Sequence, residues 1–215
     1  MKIHDLTDRL LYGILDLSYV DVLDAPTTVR SMIAGGVDIV QLRGKTREID
    51  ELTALAAKLH SITAKHGVAL IINDHAEIAR SISLEGIHLG QDDLSIAQAR
   101  EIAGRELIIG KSTHSFEQAI AAQDEGADYI GFGPLFATPT KPDYPPIGLN
   151  AIRRVQDAVR IPIFCIGGIK LDNLMHVLAA GAQRVVIVSE LLQSKNIEAY
   201  AETAKRALLA QRGRP

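Results

Sequence analysis

Short apolar segments alternate with amphipathic segments along the whole chain. The apolar segments are rich in β-branched residues and show no alternation of apolar and polar positions, which is typical of strands covered on both faces. There are eight of them, at residues 10–15, 37–42, 68–72, 86–89, 107–109, 128–132, 162–166 and 184–188. We therefore predict eight buried strands in a parallel sheet.

The segments between these strands have helical spacing, and the leucines of segment 49–65, for example, fall on one face. Ser95 and Ser115 each precede such a segment as candidate N-caps, with a glutamine three residues later. Eight helices are predicted, at residues 27–34, 49–65, 76–82, 96–102, 116–125, 149–159, 171–180 and 197–211.

Eight strand and helix pairs favour a (β/α)8 TIM barrel, with a doubly wound open sheet as the alternative. The length of 215 residues suits one barrel domain. The sequence contains no low-complexity linker that would divide it. We expect a single domain over residues 1–215.

In a TIM barrel the functional side chains lie at the C-terminal ends of the strands. Polar or charged residues follow every predicted strand of this chain. They are Asp16 and the groups at 41–45, 73–74, 90–93, 111–114, 138–141, 167–168 and 189–190. The sequence therefore predicts a binding site on one rim of the barrel.

Asp74 and Asp93 follow two adjacent predicted strands. Their carboxylates are hard oxygen ligands of the kind that Mg²⁺ takes, one or two at a time, together with water and phosphate oxygens. We predict a magnesium site here. A salt bridge to Arg43 or helix capping is the alternative role for the two carboxylates.

Positive charge is concentrated at the same predicted rim. Arg43, Lys45 and Lys141 supply cations, and Gln41 and Asn73 supply neutral donors, for a diphosphate that the metal would bridge. We predict that the three cations stabilise the negative charge of a departing diphosphate. The alternative is that these three cations are solvated charges on the protein surface.

Two further segments have the composition of phosphate sites. The loop after the sixth strand presents Thr138, Thr140 and Lys141 as an anion-binding set. The seventh and eighth strands end in Gly167–Gly168 and Val188–Ser189, where backbone N–H groups commonly bind phosphate in this fold. The alternative is that Gly167 and Gly168 are ordinary turn residues without a role in binding.

Two histidines lie near the predicted rim. His114 follows the fifth strand and could act as a base, but it adjoins the candidate cap Ser115, so we expect only local hydrogen bonds. His88 lies inside a strand segment, and we expect a core histidine whose hydrogen bonds are satisfied.

Composition excludes several classes of protein. The net charge of −3 and the pI near 6.2 leave no basic excess for nucleic-acid binding. The sole cysteine, Cys165, lies in an apolar segment and is expected to be a buried, inert thiol. No apolar run approaches the ~18 residues of a membrane helix, and the N-terminal segment lacks the apolar core of a signal peptide. We expect a cytoplasmic protein that acts on small molecules.

Together the motifs resemble those of the thiamine phosphate synthase family, over about residues 11–193. Eight motifs occur in order. They are 41–45 (QLRGK), 72–74 (IND), 86–93 (GIHLGQDD), 110–115 (GKSTHS), 126–134 (GADYIGFGP), 138–141 (TPTK), 166–169 (IGGI) and 188–189 (VS).

The resemblance implies a TIM barrel that joins a hydroxymethylpyrimidine diphosphate to a thiazole phosphate, with release of pyrophosphate. It implies Mg²⁺ at Asp74 and Asp93. The residues implied for the pyrimidine diphosphate are Gln41, Arg43, Lys45, Asn73, Ser112 and Lys141. Those implied for the thiazole phosphate are Thr138, Thr140, Gly168, Val188 and Ser189.

This chain departs from the family pattern at two places. Gly44 stands where the family usually has glutamate, and the first strand, in residues 12–19, differs from the usual opening. Two rival functions stay open. A thiazole phosphate tautomerase would need an acid or base such as His114 but no metal carboxylates. A regulator that binds phosphate at Gly168 and Ser189 would show no turnover.

Overall fold

The computed structural model describes residues 6–104, 106–138 and 144–213. Eight parallel strands close into a barrel in chain order, and the last strand pairs with the first. The strands are β1 (Leu11–Asp16), β2 (Ile39–Arg43), β3 (Ala69–Asn73), β4 (Gly86–Leu89), β5 (Ile108–Thr113), β6 (Tyr129–Phe132), β7 (Ile163–Cys165) and β8 (Val185–Ile187). The predicted TIM barrel is confirmed, and the open-sheet alternative is wrong.

The helices follow the strands around the outside of the barrel. They are α1 (Ala25–Ala34), α2 (Ile49–Thr63), α3 (Ala76–Ser81), α4 (Ile96–Ala103), α5 (Phe116–Asp124), α6 (Ile152–Ala158), α7 (Leu171–Ala179), α8 (Ser189–Leu192) and α9 (Ile197–Arg212). Ser95 caps α4 in a reciprocal pair with Gln98, and Ser115 accepts a hydrogen bond from the amide of Gln118. Both predicted caps are therefore confirmed.

Helix α8 was not predicted, because a helix of four residues has too few positions to show a period. None of the helices within the described residues combines the length and the apolar character that a membrane crossing needs.

Two apolar clusters divide the core. Strand residues that point outward, such as Leu11 and Leu15, pack under the helices, whereas Tyr12, Ile14 and Phe164 point into the barrel. The two sets alternate along β1 because successive side chains of a strand face opposite sides. Cys165 lies in the outer cluster without solvent exposure, and burial raises the pKa of its thiol to about 12, so the expected inert thiol is confirmed.

Carboxylates tie neighbouring strands together at the N-terminal end of the barrel. Asp38, which precedes β2, accepts hydrogen bonds from the amides of Leu10 and Leu11 at 2.8 and 2.9 Å. Glu85 accepts in the same way from the amide of Leu70, and Asp128 accepts from the amide of Ile109.

Each of these three carboxylates also contacts a basic side chain. Lys205 pairs with Asp38, His60 with Glu85 and Arg100 with Asp128. The rim opposite the predicted site is therefore held by carboxylates whose hydrogen-bonding capacity is used for stability.

We expect Asp38→Ala to lower the free energy of unfolding by about 2 to 4 kcal/mol, because two amides lose their acceptor. Lys205→Ala removes the ion pair but leaves the acceptor of both amides in place, so it should cost less than Asp38→Ala. Urea denaturation of both variants measures the difference. Equal losses would show that the amide contacts contribute nothing beyond the ion pair.

Candidate active site

A cavity of about 360 Å³ opens at the C-terminal ends of the strands. All the predicted site residues that the structure describes lie along its wall. They are Gln41, Arg43, Lys45, Asn73, Asp74, Asp93, Ser112, Thr138, Gly168, Val188 and Ser189. Thr140 and Lys141 lie outside the described residues. The geometry thus brings the two kinds of predicted chemistry into one cavity.

Asp74 and Asp93 form the most unusual contact of the cavity, because their carboxyl groups share a hydrogen bond. Burial, the hydrogen bond and the negative charge of Asp93 together raise the pKa of Asp74 to about 6. Burial opposes ionisation of Asp93 as well. Hydrogen bonds from Asp74 and the Gly90 amide, with the charges of Lys45 and Lys111, nevertheless hold the pKa of Asp93 below its ordinary value.

The backbone at Asp74 is unusual too. Its φ of +67° lies in the left-handed region, and its amide donates to the carbonyl of His88 at 3.0 Å. Such a conformation costs free energy in a residue with a side chain, and it persists where the surroundings hold it. Here it is fixed at a carboxylate that faces another carboxylate.

Asp74 is partly buried and Asp93 is exposed. Two adjacent carboxylates repel each other when both are ionised, so the pair favours a bound cation. Oxygen donors suit Mg²⁺, and the pair therefore fits the metal implied by the sequence. Among the described residues no group of three or more His, Cys, Asp or Glu side chains is arranged for a metal. The fit accordingly rests on two carboxylates. The remaining ligands of the metal would be substrate oxygens and water.

Arg43 pairs with Asp16 rather than with the carboxylates of the proposed metal site. Asp16 is only 2% exposed, and its other oxygen accepts hydrogen bonds from the amide and hydroxyl of Ser18 at 2.9 and 2.8 Å. The predicted alternative of a salt bridge from Arg43 to Asp74 or Asp93 is thus replaced by a pair with the first strand. From the sequence, Asp16 is recognised only as a polar residue after the first apolar segment.

The departure at Gly44 has a packing explanation. A Cβ atom at this position would lie 2.7 Å from a methyl group of Leu52 and 2.9 Å from one of Leu17. Leu17 belongs to the unusual segment that follows β1. The two departures from the family pattern are therefore in contact, because Leu17 fills space that a side chain at residue 44 would need.

A chain of hydrogen-bonded polar side chains lines the floor of the cavity. The amide of Gln41 donates to the hydroxyl of Tyr12 at 2.7 Å, and the hydroxyls of Tyr12 and Tyr129 lie 3.0 Å apart. His88 continues the chain, with one ring nitrogen 3.0 Å from Tyr129 and the other 2.9 Å from Ser112. Burial raises the pKa of both tyrosines, so their hydroxyls stay neutral.

The sequence reading missed Tyr12 and Tyr129, and it placed His88 in the core. The prediction that the hydrogen bonds of His88 are satisfied is right, but its ring faces the cavity. Tyr12 could have been found from its position in the strand. Tyr12 and Ile14 alternate with residues that point outward, and Tyr12 pairs in register with Ile39 of β2. Inward residues of a barrel strand beneath the rim form the floor of the site.

The opposite side of the cavity contains the paired glycines. Both have positive φ angles, +98° at Gly167 and +63° at Gly168. A Cβ atom at Gly168 would lie 2.7 Å from Cβ of Phe136 and 2.8 Å from the carbonyl of Ala137. The glycines therefore permit a close approach of the β6–α6 loop, and that loop carries Thr138 into the cavity wall.

Comparisons with known proteins agree with this geometry. The family model described as thiamine monophosphate synthase matches residues 11–191. A thiamine-phosphate synthase of Halalkalibacterium halodurans is 41% identical over 209 residues, covering 97% of this chain and 99% of the relative. One of Thermobifida fusca is 46% identical over 181 residues, covering 83% of each.

Solved structures support the same assignment. The thiamine phosphate pyrophosphorylase of Pyrococcus furiosus superposes with a TM-score of 0.89 and 31% identity, covering 97% of this chain and 100% of that one. A 3-hexulose-6-phosphate synthase structure reaches a TM-score of 0.70 at 16% identity and shares the fold alone. The match in sequence and in structure shows that this chain belongs to the thiamine monophosphate synthase family.

Proposed function

We propose that this chain joins the pyrimidine diphosphate to the thiazole phosphate, giving thiamine phosphate and pyrophosphate. One observation carries the proposal: the paired carboxylates Asp74 and Asp93 share a cavity with Arg43, Lys45 and the Gly167–Gly168 turn. One wall therefore suits a metal-bridged diphosphate, and another suits a single phosphate.

The diphosphate end is the more strongly charged part. Asp74 and Asp93 would hold Mg²⁺, which supplies positive charge to diphosphate oxygens when it is bound. Arg43 and Lys45 line the cavity beside this pair, and Asn73 offers an amide donor. We assign Lys141 to the same diphosphate on the resemblance, since it lies outside the described residues.

The floor of the cavity suits the pyrimidine ring. It presents the neutral hydroxyls of Tyr12 and Tyr129, whose rings pack edge-on against Phe164 with centroids 5.4 and 5.6 Å away. A flat ring with amino and ring-nitrogen groups can exchange hydrogen bonds with such a surface without burying a charge. We place the ring against Gln41 and the linked hydroxyls, with Ser112 near its diphosphate arm.

The thiazole phosphate takes the remaining wall. Thr138, Gly168, Val188 and Ser189 all line the cavity. Thr138 offers a hydroxyl, and Gly168 lets the backbone come close to the phosphate. Val188 and Ser189 form the turn into α8. Thr140, outside the described residues, is assigned here by resemblance. The two substrates then meet over the floor of the barrel.

The reaction needs no nucleophile from the protein. The bond between the pyrimidinylmethyl carbon and the diphosphate oxygen breaks, its electron pair leaves with the diphosphate, and the amino-substituted ring spreads the positive charge. The lone pair of the thiazole nitrogen then forms the new C–N bond. Arg43, Lys45 and Lys141 stabilise the charge that develops on the leaving group, and the cavity holds the nitrogen against the carbon.

The decisive experiment measures pyrophosphate release with both substrates, with and without Mg²⁺. A synthase releases pyrophosphate only when both substrates are present. The rival tautomerase would convert the thiazole phosphate alone, and a regulator would bind it without turnover. Failure of the coupling reaction in the wild-type protein would reject the proposal.

We expect Asp74→Asn and Asp93→Asn each to lower turnover by at least ~10²-fold, because each removes a carboxylate ligand of the metal. The Mg²⁺ concentration at half-maximal activity should also rise. Asp128→Asn, at the opposite rim, is the matched control and should leave the Mg²⁺ titration unchanged. An unaltered titration in both site variants would remove the metal assignment.

We expect Asp16→Asn to raise the KM for the pyrimidine diphosphate about tenfold, because Arg43 loses the carboxylate that holds it at the cavity wall. The KM for the thiazole phosphate should stay within about twofold. Steady-state kinetics with each substrate varied in turn separates the two values. A parallel rise in both would indicate general damage to the barrel instead of loss of Arg43 positioning.

We expect Gly168→Ala to raise the KM for the thiazole phosphate more than it lowers kcat, because the added methyl group displaces residues 136–137 and thus Thr138. Gly67→Ala is the control, since its φ of +65° is similar but nothing lies within 4 Å of the added atom. The same kinetic change in both variants would mean that backbone strain, and not crowding, is responsible.

A further inference from the structure

His114 contacts two residues of the β6–α6 loop. Its Nδ1 atom hydrogen-bonds the carbonyl oxygen of Gly133, where the loop begins. Its ring also packs on the ring of Tyr144, with centroids 4.5 Å apart and planes inclined at 35°. These two contact residues are eleven positions apart in sequence, and a single side chain at the end of β5 contacts both.

The ring of His114 is held in a defined orientation. A carbonyl oxygen only accepts, so Nδ1 carries the proton and donates to Gly133. The backbone amide of His114 donates to the side-chain oxygen of Gln118 at 2.7 Å, which ties the residue to α5. Atom Nε2 is buried from solvent. The ring lines the cavity, but Nδ1 is engaged by Gly133 and Nε2 is buried, so neither nitrogen is exposed as a general acid or base would need.

Backbone hydrogen bonds hold the described parts of the same loop. The amides of Leu135 and Phe136 donate to the carbonyls of Ile166 and Gly167 at 2.8 and 3.0 Å. The amide of Ile147 returns to the carbonyl of Pro134 at 2.8 Å. The loop therefore leaves β6 along β7 and comes back to its own beginning, and His114 lies on the side towards β5.

We infer that His114 is a positioning residue for the synthase reaction: it holds Gly133 and Tyr144, which flank Thr138 in the β6–α6 loop, and so sets Thr138 at the cavity wall. The inference rests on the proposed function for the role of Thr138, and on the contacts above for the role of His114. It also explains why this position takes histidine. Phenylalanine would keep the ring contact but lose the donor, whereas asparagine would keep a donor near Nδ1 but lose the ring.

The loop attachment is tested by hydrogen exchange, which does not depend on activity. In His114→Ala we expect faster exchange of the amides of Leu135, Phe136, Ile147 and Gly148, with the amides of β1 to β3 unchanged. His176→Ala, which removes an exposed histidine from α7, is the control. Unchanged exchange in the loop would overturn the inference even if the protein is an active synthase.

Kinetics then tests the functional part. His114→Ala should raise the KM for the thiazole phosphate about tenfold. Tyr144→Ala removes only the ring contact and should raise it less, and the double variant should match His114→Ala, which already lacks that contact. His114→Asn should recover part of the loss. The pH profile of kcat should keep its shape in every variant.

Two outcomes contradict the positioning role. Loss of one limb of the pH profile in both His114→Ala and His114→Asn would mean that the histidine transfers a proton. A double variant whose KM rise is the product of the two single rises would mean that His114 and Tyr144 act independently. If the wild-type protein lacks coupling activity, the proposed function fails, while the exchange experiment still decides whether His114 holds the loop.

Discussion

The contact between Asp74 and Asp93 is the interaction on which the site depends. Two carboxyl groups in hydrogen-bonding contact cannot both be ionised at low cost unless positive charge is nearby. The protein supplies Lys45 and Lys111 around the pair, and burial keeps Asp74 protonated to about pH 6. The pair therefore fits the cation and the diphosphate oxygens that we propose, and it includes Asp74, whose backbone is in the left-handed region.

Much of this could be predicted from the sequence, for a simple physical reason. In a parallel barrel the C-terminal strand ends converge, so polar residues that follow apolar runs must meet at one rim. Asp74, Asp93 and Arg43 were found by that rule. The partner of Arg43 was not, because an acid at the end of β1 and acids at the ends of β3 and β4 look alike in sequence. Only the pairing of Asp16 with Arg43 in register between β1 and β2 distinguishes them.

The floor of the cavity was harder to predict. Tyr12, His88 and Tyr129 lie within strands whose other residues are apolar, and an apolar strand buried on both faces does not reveal which residues point inward. Their hydrogen bonds run across β1, β4 and β6, so no local pattern records them. The contact between Leu17 and Gly44 is similar, since two departures that look independent in sequence prove to be one packing arrangement.

The two rims use the same chemical group in opposite ways. At the N-terminal rim, Asp38 accepts from two amides and pairs with Lys205, so its charge is satisfied within the protein and serves stability. At the C-terminal rim, Asp74 shares a hydrogen bond with Asp93, and the proposed cation would relieve the repulsion that arises when both are ionised. A carboxylate that the fold satisfies adds to stability whether or not ligand is present. A carboxylate that lies beside another acid gains most when positive charge is bound next to it. We propose that this difference separates the structural acids of the barrel from the functional ones.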